Sequence, residues 1–224
     1  MKFLYQESTL EIVVDDSAIT ILSVENRCIF RRLLYELGVQ CDGESGPWIL
    51  NYNSAAIDIE KNCHFIMNPL DVDVNGKSIL AKLQTQLVKE ANLMTVELMD
   101  IMNRLHAFFY SLEFGYPFAI RHKDEIGVAD LIKVGAFNFE LERKGDVADL
   151  INYLEVVQFL LSPKVFILVN LDLLLDSDEL NQLFKTLVSK QFTVLCITVG
   201  KIDELNLEKS LINGYILDKD FCLI

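Results

Sequence analysis

The stretch Ser162–Asp172, Ser-Pro-Lys-Val-Phe-Ile-Leu-Val-Asn-Leu-Asp, decides the fold that the sequence predicts. Pro163 ends the helix predicted before it, because proline has no N–H to donate and restricts the preceding residue. The apolar run Val165–Val169 then predicts a strand covered on both faces, as in a parallel sheet. Asn170 and Asp172 follow at the carboxyl end of that strand, where doubly wound sheets bind ligands. The stretch therefore predicts an α/β protein with a candidate site at this edge.

The C-terminal third of the chain continues this pattern. A helix is predicted from Gly145 to Leu161, and another from Ser177, its expected N-cap, to about Lys190. A second buried apolar run, Phe192–Val199, follows that helix. Two buried strands joined by a helix form a βαβ unit, which predicts parallel pairing.

The N-terminal strand and helix stand where a P-loop protein carries its phosphate loop. The predicted strand Ala18–Ser23 precedes a helix over Glu25–Leu37, with Ser23 as its N-cap and Gly38 at its end. A phosphate loop needs glycines for its backbone path and a lysine for the phosphates. The turn at 23–27, Ser-Val-Glu-Asn-Arg, has neither, and its glutamate repels phosphate. We therefore expect no bound nucleotide and no ATPase activity through such a loop.

A helical insertion interrupts the α/β part. Apolar residues at helical spacing predict a hairpin of two helices, Ile79–Val88 and Leu93–Leu112. We predict a head domain made of 1–75 and 145–224, with a helical leg at 76–144 inserted into it.

The long helix of the leg carries an apolar stripe with Met94, Met99 and Met102. The stripe either packs within the insertion or serves for self-association and partner binding. A short helix at Ile126–Val134 and a half-exposed strand at Phe137–Leu141 are predicted to complete the leg.

Composition excludes several classes of protein. Half of the 224 residues are hydrophobic, yet no apolar run approaches the length of a membrane span. The beginning, Met1–Tyr5, lacks a signal-peptide pattern, so we expect a cytoplasmic protein without a membrane partner. The five cysteines are scattered without a CxxC pair, which argues against zinc ribbons and disulfide frameworks. The net charge of −13 opposes DNA binding unless a local basic patch, a bridging cation or an oligomer gathers positive charge.

Catalytic motifs are poor, so we expect no enzyme. The three histidines, His64, His106 and His122, lie in different elements without the spacing of a metal pair. No nucleophile elbow occurs. Asp172 stands where a Walker B carboxylate would hold magnesium, but without a phosphate loop Asn170 and Asp172 are interpreted as capping or turn residues.

Basic residues show one arrangement. Arg27 and Arg31 are four residues apart on the first helix and therefore share a face. If the basic residues of head and leg converge, they can track a phosphate backbone without reading bases. The candidate DNA-binding residues are Arg27, Arg31, Arg32, Lys77, Lys82, Lys133 and Arg143.

Clustered carboxylates are candidates for a hard-cation site, which needs several oxygen ligands. One group is Asp71 and Asp73 in the connector, and the other is Asp124, Glu125 and Asp130 in the insertion. Neither has the spacing of an EF-hand.

Four segments give the chain a resemblance to a known family over nearly its full length. They are the glycine-free strand-to-helix turn at 19–30, the connector at 71–83, the strand at 164–170, and the strand at 193–197 with the ending at 215–224. In their order and spacing they resemble the second Csn protein of type II-A CRISPR systems.

The resemblance implies a head related to P-loop NTPases with a degenerate phosphate loop and an inserted helical leg. It also implies a homotetrameric ring that encircles double-stranded DNA and threads onto its ends, with calcium ions in the leg. Such a protein assists the CRISPR integrase complex and effector nuclease in acquiring spacers, without activity of its own. The sequence departs from the family at Arg121-His122-Lys123, where carboxylates are usual. These basic residues either replace the cation or face DNA.

The sequence thus predicts a non-enzymatic, ring-forming and sequence-independent binder of double-stranded DNA. The alternative is a degenerate NTPase-like regulatory module that binds protein partners through the apolar stripe. A third hypothesis, an active nucleotidase, would require turnover that depends on Asp172.

Overall fold

The computed structural model describes residues 1–123, 125–141, 144–199 and 207–224. Two of the candidate site residues, Asp124 and Arg143, lie outside this described part of the chain. The chain divides into two compact units, a head of Met1–Val72 with Arg143–Ile224 and a leg of Asp73–Glu142.

A five-stranded parallel sheet forms the centre of the head, in the order β6-β7-β8-β3-β9. Every neighbouring pair in this sheet is parallel. Its strands are β3 (Ile19–Val24), β6 (Cys63–Ile66), β7 (Val165–Val169), β8 (Val194–Thr198) and β9 (Ile212–Leu217). The predicted α/β class and the βαβ unit are therefore confirmed, since β7 and β8 are joined by a helix and pair directly.

The predicted central strand is completely covered. All five residues of β7 are buried, as the unbroken apolar run requires of a strand with helices or sheets on both faces. β8 is equally buried and occupies the middle of the sheet, so β7 lies one place away from the centre.

A second, antiparallel sheet lies in the same head, in the order β2-β1-β4-β5. Its strands are β1 (Lys2–Tyr5), β2 (Glu11–Val13), β4 (Trp48–Tyr52) and β5 (Ala55–Ile57). Phe3 and Tyr5 of β1 pack edge-on against Trp48. These rings share one hydrophobic cluster with Ile167 of β7 and with Leu37, so the core joins the two sheets.

Helices cover the parallel sheet. They are α1 (Arg27–Cys41), the short α2 (Ile59–Asn62), α6 (Val147–Leu161) and α7 (Ser177–Ser189). α1 contacts β3, β4 and β6, while α7 contacts β3 and α6. The buried residues of α7 are spaced as an amphipathic helix requires: Leu180, Leu183, Phe184 and Leu187.

The ends of α1 differ from the prediction. Asn26, not Ser23, is the N-cap, and its Oδ1 accepts from the backbone N–H of Cys28 at 2.9 Å. Gly38 does not end the helix, which continues to Cys41. The glycine lies inside the last turns of the helix, where the Phe65 ring comes within 3.5 Å of the position that a Cβ would occupy. Gly38 is therefore an interior residue of the helix beside Phe65 and not a helix end.

The start of α7 also differs from the prediction. The N-cap is Asp176, whose Oδ1 accepts from the N–H groups of Asp178 and Glu179 at 2.9 Å. Glu179 Oε2 in turn accepts from the Asp176 N–H at 3.0 Å, which completes a capping box. Ser177, the predicted cap, is the first residue of the helix.

The leg is helical over most of its described length. It contains α3 (Lys77–Leu93), α4 (Thr95–Phe114) and α5 (Val128–Val134), with α3 in contact with both of the others. Its two ends are tied together by Asn75, which donates to the carbonyl of Phe139 at 3.1 Å and accepts from its N–H at 2.8 Å.

Two predictions for the leg were wrong in detail. The helical hairpin turns at Met94 instead of at 89–92, because α3 runs on to Leu93. Phe137–Leu141 is not a strand. In this segment the backbone of Phe139 bonds to the side chain of Asn75 instead of to a neighbouring strand, so alternating polarity did not lead to sheet pairing.

Candidate nucleic-acid interface

The turn between β3 and α1 is short, and backbone N–H groups in and after it donate hydrogen bonds to acceptors within the chain. Only Glu25 and Asn26 separate the two elements. The side chain of Asn26 accepts from the N–H groups of Cys28 and Ile29, at 2.9 and 3.4 Å. The N–H of Glu25 donates to the carbonyl of Leu217 at 3.0 Å. A phosphate loop keeps such N–H groups for its ligand, whereas here the amino end of the helix is capped from within the chain.

Asn170 and Asp172 shape the end of β7. Asn170 adopts a left-handed conformation, with φ at 51°, and its N–H donates to the carbonyl of Ile197 at 2.9 Å. Asp172 lies in the following single helical turn and accepts a hydrogen bond from the hydroxyl of Thr198. The pair therefore connects the ends of β7 and β8, which is a turn-forming role.

Arg27 and Arg31 form an exposed basic row on α1. Both side chains are exposed, and neither forms an ion pair with a residue in the described ranges. Tyr35, one further turn along the same row, is 69% exposed. Two unpaired guanidinium groups followed by an aromatic ring on one ridge suit the phosphates of a nucleic-acid backbone, because guanidinium forks bind phosphate oxygens in pairs.

Arg32 differs from its neighbours because its charge is already compensated. Its guanidinium pairs with Glu7 and, through Nε at 3.0 Å, with Oε1 of Glu36. These two hydrogen bonds raise the pKa of Arg32. Glu7 lies far away in sequence, and no helical spacing could indicate this pairing.

The structure places the other described candidates in the leg. Lys77 and Lys82 lie on α3, and Lys133 lies on α5, which packs against α3. All three are exposed, and none forms an ion pair within the described part of the chain. The leg thus contributes three exposed lysines.

The candidate carboxylates of the leg that the structure describes, Glu125 and Asp130, are not grouped as a calcium site requires. Asp130 Oδ2 accepts from the N–H of Gly127 at 3.1 Å and from Nζ of Lys123 at 3.2 Å. The same two donors lower the pKa of Asp130. Glu125 is exposed, and Asp124 lies outside the described residues. One free and one lysine-paired carboxylate fall short of the six to eight oxygens that calcium takes, so the described residues do not fit the ion by themselves.

The connector carboxylates give no metal site either. Oδ1 of Asp73 accepts from the N–H of Asn75 at 2.9 Å, which is a turn contact. Among residues 1–123, 125–141, 144–199 and 207–224, no group of three or more His, Cys, Asp or Glu side chains is arranged to hold a metal ion.

Two histidines from different predicted elements meet in the leg. Nδ1 of His106 lies 3.2 Å from Nε2 of His122. Oε1 of Glu113 accepts from the backbone N–H of His122 at 2.6 Å and lies 2.7 Å from its Nδ1. These hydrogen bonds from His122, the backbone one first, lower the pKa of Glu113. The spacing of the histidines along the sequence did not predict this contact, because it forms only where the chain reverses after α4.

The long helix α4 leaves much apolar surface uncovered. No residue of α4 is buried. One ridge of this surface carries Ile101, Phe108 and Leu112, exposed by 51, 56 and 47%. Exposed apolar patches of this kind usually mark interaction sites.

Comparison with known proteins identifies the family. The family model described as CRISPR-associated protein (Cas_Csn2) matches residues 40–221. No curated protein matches the chain. A similar solved structure is described as a putative ABC transporter (ATP-binding protein) from Pyrococcus furiosus, with a TM-score of 0.41 and 13% identity, covering 96% of this chain and 97% of that one. No helix in the described part has the length and apolar character of a membrane span. Because the family model covers most of the sequence, the chain belongs to the Cas_Csn2 family of CRISPR-associated proteins.

Proposed function

We propose that this chain is a sequence-independent binder of double-stranded DNA ends that acts, without catalysis of its own, in CRISPR spacer acquisition. Family membership supports the CRISPR context. The observation that carries DNA binding is the row Arg27, Arg31 and Tyr35 on α1, exposed and free of ion pairs with described residues. The self-capped turn between β3 and α1 supports a role without nucleotide.

Self-association would reconcile DNA binding with the acidic surface. A single chain carries a net charge of −13, so it repels DNA on average. In a homotetrameric ring, four copies of the basic row would face one duplex, and the acidic residues would face outwards. The exposed apolar ridge of α4 supports assembly, because such a surface is stabilised when a second copy covers it.

DNA contacts of this kind should involve phosphates only. Binding should therefore be independent of base sequence and should weaken steeply as salt rises, since each phosphate contact releases counterions. The CRISPR integrase complex and effector nuclease are the proposed protein partners.

Two measurements test the proposal. A gel shift compares a blunt linear duplex with the same sequence as a closed circle, and light scattering gives the mass of the protein in solution. The linear form should bind more tightly, and the mass should be that of four chains. Equal retention of the two DNA forms would contradict threading onto ends.

The second candidate function is a regulatory module that binds protein partners through α4. The exposed apolar ridge of α4 favours it as well. This function predicts a monomer or dimer in solution and no retention of DNA even at low salt, so the same two measurements separate the candidates.

A further inference from the structure

A contact between two imidazole rings in the leg suggests a site made of residues other than those of the basic row. His106 is on α4, and His122 belongs to the segment that returns after α4, 16 residues later. Nδ1 of His106 and Nε2 of His122 face each other at 3.2 Å, with the ring centres 5.4 Å apart.

Glu113 determines which nitrogen of His122 carries the proton. A carboxylate only accepts hydrogen bonds, so the 2.7 Å contact between Glu113 Oε1 and Nδ1 of His122 requires a proton on Nδ1. The backbone N–H of His122 donates to the same oxygen at 2.6 Å and holds the ring in place. In the neutral His122 ring, Nε2 then presents its lone pair to His106.

This arrangement matches two ligands of a metal with its supporting carboxylate. Two imidazole nitrogens bound to one tetrahedral zinc ion at about 2.05 Å are about 3.3 Å apart. A carboxylate that accepts the second ring N–H of a ligand histidine is the usual support of such a site. The rings of Phe109 and Tyr110 pack against His122, with centres 5.4 and 4.7 Å from the centre of its ring.

We propose that His106 and His122 bind one divalent transition-metal ion of the zinc class, with Glu113 as a positioning residue. Nδ1 of His106 and Nε2 of His122 supply the ligands, and water fills the remaining positions. In the metal-free chain, Nδ1–H of His106 donates to Nε2 of His122. On binding, that proton moves to Nε2 of His106, so both rings stay neutral and no net proton is released.

The site should discriminate between metals. Imidazole nitrogen suits zinc, cobalt, nickel and copper, whereas calcium takes oxygen ligands. The ion would hold the segment that follows α4 against the helix, because its two ligands lie on either side of the reversal at Gly115.

Titration of untagged, metal-free protein with cobalt(II) tests the proposal, with visible absorption as the readout. We expect one cobalt per chain, displaced by zinc and not by calcium. His106→Gln and His122→Asn should each weaken binding at least tenfold, and Glu113→Gln should weaken it 10- to 100-fold. His64→Gln, which alters a histidine of the head, is the matched control and should leave binding unchanged.

Limited proteolysis provides a second readout. Saturating zinc should slow cleavage between 115 and 121 in the parent and not in the His106→Gln/His122→Asn double variant. Circular dichroism must show that this double variant keeps its helices. If the helices are lost, proteolysis and cobalt titration of Glu113→Gln test the proposal instead. Parent-like cobalt affinity in the folded double variant would overturn the proposal, as would absorption from thiolate-bound cobalt. Neither outcome bears on DNA binding.

Discussion

Nε of Arg32 lies 3.0 Å from Oε1 of Glu36, one helical turn further along α1. Glu7 pairs with the same guanidinium, so Arg32 is held by two carboxylates while Arg31, its neighbour in sequence, forms no ion pair with any described residue. Adjacent arginines on one helix therefore differ in the positive charge they offer to DNA.

This difference gives a matched pair of variants for DNA binding. Arg31→Gln should weaken binding to linear duplex and lower the slope of log K against log salt by about 0.9 for each phosphate that the variant no longer neutralises. Arg32→Gln removes the same formal charge but should leave the slope nearly unchanged. Fluorescence anisotropy across a salt series measures both. Equal weakening in the two variants would contradict the assignment of the row Arg27, Arg31 and Tyr35.

Assembly should depend on the apolar ridge of α4. Replacing Ile101 and Phe108 together by lysine should reduce the mass in solution to that of a single chain, because four charged groups per pair of ridges cannot be buried without partners. Asn103→Ala, an exposed position on the side of α4 opposite the ridge, should leave the mass unchanged. Light scattering of parent and variants measures this, and an assembly that survives the double lysine variant would remove the ridge from the interface.

The capping box of α7 gives a prediction on stability. Asp176→Ala should lower the free energy of unfolding by about 1 kcal/mol, since two N–H groups lose their acceptor. Ser177→Ala should change it by much less, because Ser177 is inside the helix. Thermal unfolding should show a shift of about 2–4 °C for the first variant. A larger loss of stability in Ser177→Ala than in Asp176→Ala would show that Ser177 is the N-cap.

Replacing two glycines of the head by alanine should change the free energy of unfolding in opposite directions. Gly38→Ala should stabilise the protein by up to about 1 kcal/mol, because alanine favours the helix and its Cβ would meet Phe65 at an ordinary contact distance of 3.5 Å. Gly145→Ala should destabilise it by about 1–2 kcal/mol, because its φ of 73° disfavours a side chain. Urea unfolding of the two variants checks the signs, and a destabilised Gly38→Ala would show that the Phe65 ring cannot adjust.

His64 should make stability depend on pH. Burial lowers its pKa in the folded head, where Nε2 lies 3.0 Å from the hydroxyl of Tyr153. The unfolded chain therefore binds the proton at higher pH, and the free energy of unfolding should fall as the pH drops below about 6.5. His64→Gln should flatten this part of the profile relative to the parent. Identical profiles in urea unfolding between pH 7.5 and 5.5 would contradict a buried neutral His64.

Much of the fold could be predicted because its signals are local. Val165–Val169 and the run containing Val194–Thr198 are apolar without alternation, which only strands buried on both faces tolerate. The prediction that the chain has no phosphate loop was also local, since the turn at 23–27 contains neither glycine nor lysine. Phe137–Leu141 shows where local signals fail. Its alternating polarity suits a strand, but the backbone N–H of Phe139 donates to the side chain of Asn75 and not to a neighbouring strand.

Sequence alone determined the α/β class, the helical insertion and the basic positions of α1, because periodicity and residue type act over one or two turns. Only the tertiary structure decided that Arg32 is paired while Arg31 is not, and that His106 meets His122. Both contacts join residues that are far apart in the sequence and meet only when the chain folds back. The free energy of such contacts is set by distance in space, and spacing along the chain carries no information about it.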